Sequence, residues 1–167
     1  EKNLTITLPD TEYTKSTTVE DWTALGVTKE YFSGGAGQAS FEVVTGAKVA
    51  LGLISNTPKS TLTALTAAHY DYVVYTETGQ ANYQISSPAG VVDSGVATTD
   101  EKHIIMDISK GTLHFVKEKT DETHVPIYSF DWDYETNYHL AFNVRLGSIK
   151  KLAFDPSPFN TTQNNVI

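Results

Sequence analysis

The residues best equipped for chemistry lie in the stretch Phe130 to Asn137, FDWDYETN. Side chains alternate along an extended chain. Asp131, Asp133, Glu135 and Asn137 therefore share one face, and Trp132, Tyr134 and Thr136 the other. Oxygen ligands two residues apart can wrap a hard cation, so calcium is a candidate at Asp131, Asp133, Glu135 and Asn137. The stretch lacks the glycine and the terminal bidentate glutamate of an EF-hand loop, and a plain solvated acidic loop stands beside the calcium reading. A second chemistry is sugar binding. Trp132 and Tyr134 offer ring faces for the apolar side of a sugar, while Asp131 and Asp133 accept its hydroxyl protons. The structural alternative is that Trp132 caps the core. Tyr31, next to Phe32, and Trp22 are further candidates for ligand-facing rings, with core packing as the alternative.

Catalytic constellations are not evident. The histidines at 69, 103, 114, 124 and 139 contain no His-x-x-x-His pair, although His103 and His114 are expected near each other across a hairpin. Zinc needs convergent ligands, and no Gly-x-Ser-x-Gly elbow is present for a serine nucleophile. Glu42, Asp107 and Asp133 are available carboxylates, but no Glu-x-Asp-x-x-Glu strand motif arranges them across a cleft. The run SGGAG at 33–37 precedes a strand rather than a helix and lacks the P-loop Lys-Ser/Thr, so it reads as a loop. Enzyme activity is not expected, and no cofactor is required.

Composition narrows the partners. The chain carries 20 acidic and 12 basic residues, a net charge of −8, and Arg145 as its only arginine. That charge repels polyanions at long range, which argues against nucleic acid. No apolar run reaches the length of a membrane span, so membrane insertion is not expected. The absence of cysteine excludes disulfides and thiolate metal sites. Glu1 does not open a signal peptide, so a mature product or an excised fragment is expected. The sequons at Asn3 and Asn160 arise readily in a Thr-rich chain and carry no weight alone.

The elements that must position these residues are strands. His103–Ile108 and Thr112–Val116 flank Ser109-Lys110-Gly111 and read as a β-hairpin. Ala39–Val44 and Ala47–Ile54 flank Thr45-Gly46 and read as another, the second strand apolar enough to be central. Further strands are expected at Leu4–Leu8, Tyr70–Thr76, Ala81–Ile85, Val91–Val92, Val125–Phe130, Tyr138–Leu146 and Ile149–Phe154. Capping-box spacing from Thr17 allows one helical turn through Trp22. Residues 55–68 read as a long loop with room for one helical turn, and Lys117–His124 as a charged connection. Ten or eleven short strands without βαβ alternation predict an all-β, antiparallel two-sheet β-sandwich, a jelly roll. We read 1–30 as an N-terminal strand and lead-in, 31–159 as the sandwich, and 160–167 as a polar tail of one domain.

The layout resembles the SPRY family of concanavalin-like jelly rolls. Phe41-Glu42-Val43 after a glycine-rich loop is similar to its aromatic-Glu-Val strand, and Val49–Leu53 to the strand that follows. Gly95-Val96 through Asp107, Gly111, Leu113 and Phe115 is similar to its middle hairpin, and Tyr138–Val144 and Leu152–Pro156 to its closing strands. The likeness spans about residues 31–159. Lys117-Glu118-Lys119 and the first 30 residues depart from it. Similar folds occur in virus spikes, tail fibres and secreted carbohydrate-binding domains. The resemblance implies binding through loops at one end or on one concave face. The expected function is a non-enzymatic receptor- or carbohydrate-binding head of a phage or virus spike or fibre, at the virion surface or extracellular. Its partner would be a cell-surface glycan or receptor protein, and it would work as a homo-oligomer. The alternatives are a capsid-decoration or oligomerisation module, or a carbohydrate-binding module of a secreted enzyme.

Overall fold

The computed structural model describes residues 4–7, 12–28, 37–55, 66–109, 111–131 and 138–154. These residues form two antiparallel sheets. One contains β1 (Leu4–Thr7), β2 (Glu12–Lys15), β4 (Gly37–Val43), β9 (Glu101–Ser109), β10 (Thr112–Lys119), β11 (His124–Asp131) and β13 (Ser148–Phe154), in the order β1-β2-β13-β4-β9-β10-β11. The other contains β3 (Leu25–Val27), β5 (Lys48–Ile54), β6 (Tyr72–Tyr75), β7 (Asn82–Ser87), β8 (Gly90–Ala97) and β12 (His139–Leu146), in the order β3-β12-β5-β6-β7-β8. The expected all-β sandwich is thus the observed one.

Alternation builds the core. Ala39, Phe41 and Val43 of β4 point inward, as do Leu113 and Phe115 of β10, and meet Leu51, Leu53, Phe142 and Val144 of the facing sheet. Phe41, Phe115, Phe142 and Tyr83 are wholly buried. Burying one such side chain contributes about 1.5–3 kcal/mol. The central pair β5 and β12 is buried on both faces, which explains their near-continuous apolar runs. Their outer face carries a second cluster of Leu25, Val27, Ala50, Ile54, Tyr70, Val73, Tyr75 and Ala141, with Trp22 and Ala67 packed against it.

The β9–β10 hairpin is present, with Phe115 opposite Met106 and Leu113 opposite Ile108. Gly111 turns it at φ +83°, a conformation that costs glycine nothing. The second expected hairpin is not. β4 pairs with β13 and β9, whereas β5 pairs with β12 and β6. Residues 44–47 therefore form a corner between sheets. A hairpin would set the apolar faces of both strands side by side; a corner lets them bury against each other. Residues 17–22 bend without a helix. Local side-chain bonds compete with helix there: the Asp21 carboxylate accepts from Thr23 N (2.9 Å) and Thr23 Oγ1 (2.6 Å) and pairs with Lys15 Nζ at 2.7 Å. Lys117–Lys119 continue β10 and His124 opens β11, so the charged connection is shorter than expected. Short strands β2 and β3, and the full length of β8, were not expected from the pattern. Of the ambiguous stretch 55–68, Ala67 and Ala68 enter a 3-10 turn that extends to His69.

Arg145 fastens the 16–24 segment to the six-stranded sheet. Its guanidinium carbon lies 4.3 Å from the centroid of the Trp22 ring. Nη1 donates to Thr76 O (2.7 Å) and pairs with Glu20 at 3.2 Å, and Nη2 reaches Glu77 at 3.5 Å. Arg145→Ala removes the stacking and leaves two acids beside an emptied pocket. We expect a loss of about 3 kcal/mol in urea denaturation, the low end for breaking a buried pair because Glu20 and Glu77 keep contact with water. Arg145→Lys should recover less than half, since an ammonium cannot stack and fork at once. Two wild-type-like curves would remove Arg145 as the fastening.

Candidate functional site

The described connections at one end of the sandwich include the 44–47 corner, the 76–81 and 98–100 turns, the 120–123 turn, and Gly147. Four of these enclose a groove of about 430 Å³, within the range of small-ligand sites. The 43–48 corner forms one wall and 98–101 the other, with Thr76 and Thr120 closing the sides. The walls are pinned by backbone bonds. Thr76 N donates to Val49 O and Val49 N to Thr76 Oγ1, each at 2.9 Å, and Thr120 N donates to Asp100 O at 3.0 Å. Asp100 holds a left-handed conformation at φ +58°, one that Asp tolerates better than most residues.

Glu101 is the chemically distinctive residue of the groove. The Tyr83 hydroxyl, on a wholly buried ring from β7, donates to Glu101 Oε2. Lys117 approaches from β10 on the same inward face as Leu113 and Phe115. Its ammonium, however, donates to Ala97 O (2.6 Å) and Thr99 O (3.1 Å), tying the 98–100 turn down. Burial pushes the Glu101 carboxyl up to about 7, against the opposing pull of the Tyr83 hydroxyl, Lys117 and Lys48. Burial also raises Tyr83 and lowers Lys117. The floor therefore holds a carboxyl poised between its two protonation states near neutral pH.

Asp131 is exposed at the end of β11, opposite Thr112 and far along the strands from this groove. Asp131 and Tyr138 lie at the end of the sandwich away from the groove. Trp132, Asp133, Tyr134, Glu135, Asn137 and Tyr31 lie outside the described residues, and so do the calcium and sugar readings that rest on them. Among the described residues no group of three or more His, Asp or Glu side chains could hold a metal ion. Trp22 is half-buried, packed edge-on against Tyr75 at 5.3 Å. Tyr70, Tyr75 and Tyr83 are buried and Tyr72 is half-buried against the core.

The histidines are placed differently from the expectation. His103 faces Glu118 across the hairpin, and His114 faces Asp107. His114 pairs instead with Ser129 Oγ at 2.6 Å. On the outer face of the seven-stranded sheet, His103 and His124 flank Glu118 at 3.0 Å each, and Glu42 lies 3.9 Å from His103 and 2.9 Å from Lys151. The partners His124 and His103 lower Glu118, and Lys151 lowers Glu42. Each charge here already has an opposite neighbour, so the face is a satisfied ladder rather than a site.

The sequence pattern did not single out Glu101, Tyr83, Lys117 or Lys48. One signal was available: Leu113, Phe115 and Lys117 share a parity, which places a lysine on an inward face.

No family model matches the sequence, and no curated protein matches it. Solved structures do match in fold. The TRIM65 PSpry domain superposes with a TM-score of 0.64 at 14% identity, covering 92% of this chain and 86% of that one. Stonustoxin gives a TM-score of 0.64 at 14% identity, covering 91% of this chain and 25% of that one, so this chain corresponds to about a quarter of that protein. The sandwich is SPRY-like in fold.

Proposed function

We propose that this chain is a recognition domain without catalytic chemistry, holding a partner through the groove end of the sandwich. The observation that carries this reading is the groove itself: a polar recess built from four separate connections on a rigid two-sheet scaffold, with an enclosed carboxyl at its floor. Sites of this construction bind by placing a few polar groups precisely. The SPRY-like fold supports it, since that resemblance implies binding through loops at one end. The acidic, cysteine-free, Thr- and Asn-rich chain fits work outside the cell, as the head of a virus or phage spike or fibre. Among the described residues no aromatic ring lines the groove. A sugar would find no stacking platform there, which favours a protein partner over a glycan at this end.

Protein and glycan arrays probed with the full chain and two variants test the reading. Thr45 is exposed on the groove wall, so Thr45→Arg fills the recess without touching the core. We expect protein binding that falls at least about tenfold in Thr45→Arg and is unchanged in Trp132→Ala. A folded sample that binds nothing sinks the recognition reading. Binding lost in Trp132→Ala and kept in Thr45→Arg moves the contact away from the groove, and to the glycan reading.

A further inference from the structure

We infer that the groove takes a primary ammonium, a lysine side chain of the partner protein, on the Glu101 carboxylate. This rests on the groove being the binding surface and names what enters it. Glu101 has one oxygen occupied by the Tyr83 hydroxyl, and the other has no hydrogen-bond partner among the described residues. Nor does any described cation lie within ion-pair distance of it. The two nearby lysines act on it only from beyond ion-pair distance. Lys117 places two of its three donors on Ala97 O and Thr99 O, and Lys48 lines the groove without a direct contact to Glu101. An enclosed carboxylate without a counter-charge in direct contact is unfavourable. A ligand that brings its own cation removes the imbalance; one that brings an apolar or anionic group worsens it.

Geometry then selects among cations. Guanidinium groups favour carboxylates through two parallel bonds, which need both oxygens. Tyr83 already donates to one of them, so a fork must share that oxygen with the hydroxyl. An ammonium needs a single oxygen and has two further donors to place. The exposed Thr45 and Thr99 and the Asp100 carboxylate, all on the groove walls, are acceptors for them. Lys48, on the other wall, supplies a donor for a backbone carbonyl of the same segment. Amino sugars share the ammonium, but the groove has no ring face to receive their apolar side.

The pH dependence follows from the groups around the carboxyl. Tyr83 from β7, Lys117 from β10 and Lys48 from β5 act on it, and Lys119 and Asp100 act on Lys117. With the carboxyl near 7, an ammonium binds the ionised form above neutrality and loses it below.

The probe is Nα-acetyl-lysine methylamide, titrated into the full 15N-labelled chain at pH 7.5, beside its Nε-acetylated form, the corresponding arginine amide, and glucosamine. We expect saturable shifts at the amides of Lys48, Asp100 and Glu101 with the lysine amide. The Nε-acetylated form should bind at least about tenfold more weakly, and the lysine amide should weaken about tenfold at pH 5.5. Glu101→Gln keeps the shape and the oxygen that Tyr83 donates to, and should abolish the shifts. Equal binding of the acetylated form, retained binding in Glu101→Gln, or no shifts at the groove overturns the inference. Tighter binding of the arginine amide or of glucosamine overturns the lysine assignment. A partner protein lost in Thr45→Arg and kept in Glu101→Gln would leave the groove as the binding surface and remove only the ammonium.

Discussion

Gly52→Ala is expected to cost about 3 kcal/mol or more, a large fraction of the stability of an ordinary domain. Gly52 sits mid-way along β5, opposite Val73 of β6 and Ala141 of β12. A Cβ there would stand 2.1 Å from Tyr72 O, 2.8 Å from Val73 Cα and 2.9 Å from Tyr70 Cδ1. Two of those atoms belong to the backbone of the paired strand and cannot swing away. The ladder must open, and with it the face that buries Tyr70 and Val73. Gly46 makes the useful contrast. Its φ is +85° and nothing lies within 4 Å of an added Cβ, so Gly46→Ala meets only the left-handed penalty of about 1 kcal/mol. Urea denaturation of both variants separates close approach from conformational strain. A Gly52→Ala protein within about 1 kcal/mol of wild type would mean that the Tyr70–Val73 segment does not cross β5 so closely.

Glu101→Gln should reshape the pH dependence of stability. A carboxyl near 7 in the folded chain, against an ordinary 4.5, binds its proton more tightly folded than unfolded. Its contribution is fully present below 4.5 and is lost as pH rises through about 7. At pH 8 the folded wild type carries a penalty of about 3 kcal/mol that glutamine does not have. Melting curves at pH 5 and pH 8 should show Glu101→Gln gaining roughly 6–12 °C on wild type between those values. The acid limb has the opposite sign. For Asp21, burial would raise the carboxyl, but Lys15 and Thr23 outweigh it and hold it at about 2. Glu42 and Glu118 are lowered by their partners. Those contributions are present above the ordinary carboxylate range and fade as pH falls through the lowered values. Stability therefore peaks between the two limbs. The same melting difference at pH 5 and pH 8 would mean that Glu101 is not enclosed.

The framework was legible because alternation reports a buried face directly. Phe41, Leu113, Phe115 and Phe142 each sit on the parity that the pattern assigns to the core. Pairing was less legible. Thr45-Gly46 reads equally as a hairpin turn or a corner, because glycine supplies a positive φ to either. What decides is which apolar face needs covering, and that is a long-range matter. Short strands such as Leu25–Val27 escape a pattern reading because three residues hold too little periodicity, and β3 exists to cover β12. The groove was the least legible part. Glu101 opens β9, Lys117 nears the end of β10, and Tyr83 begins β7. Their meeting depends on how sheets stack, not on spacing along the chain. Chemistry concentrated in one stretch, such as FDWDYETN, draws attention in a sequence, whereas chemistry assembled from several strands does not.

Recognition through this groove rests on the Glu101 carboxyl. The most direct test is a 13C titration of the Glu101 side-chain carboxyl in the full chain, with and without saturating Nα-acetyl-lysine methylamide. The account predicts a midpoint near 7 alone, falling when the ammonium is bound. A midpoint near 4.5, unmoved by the ligand, would be that of an ordinary solvated glutamate and would contradict it.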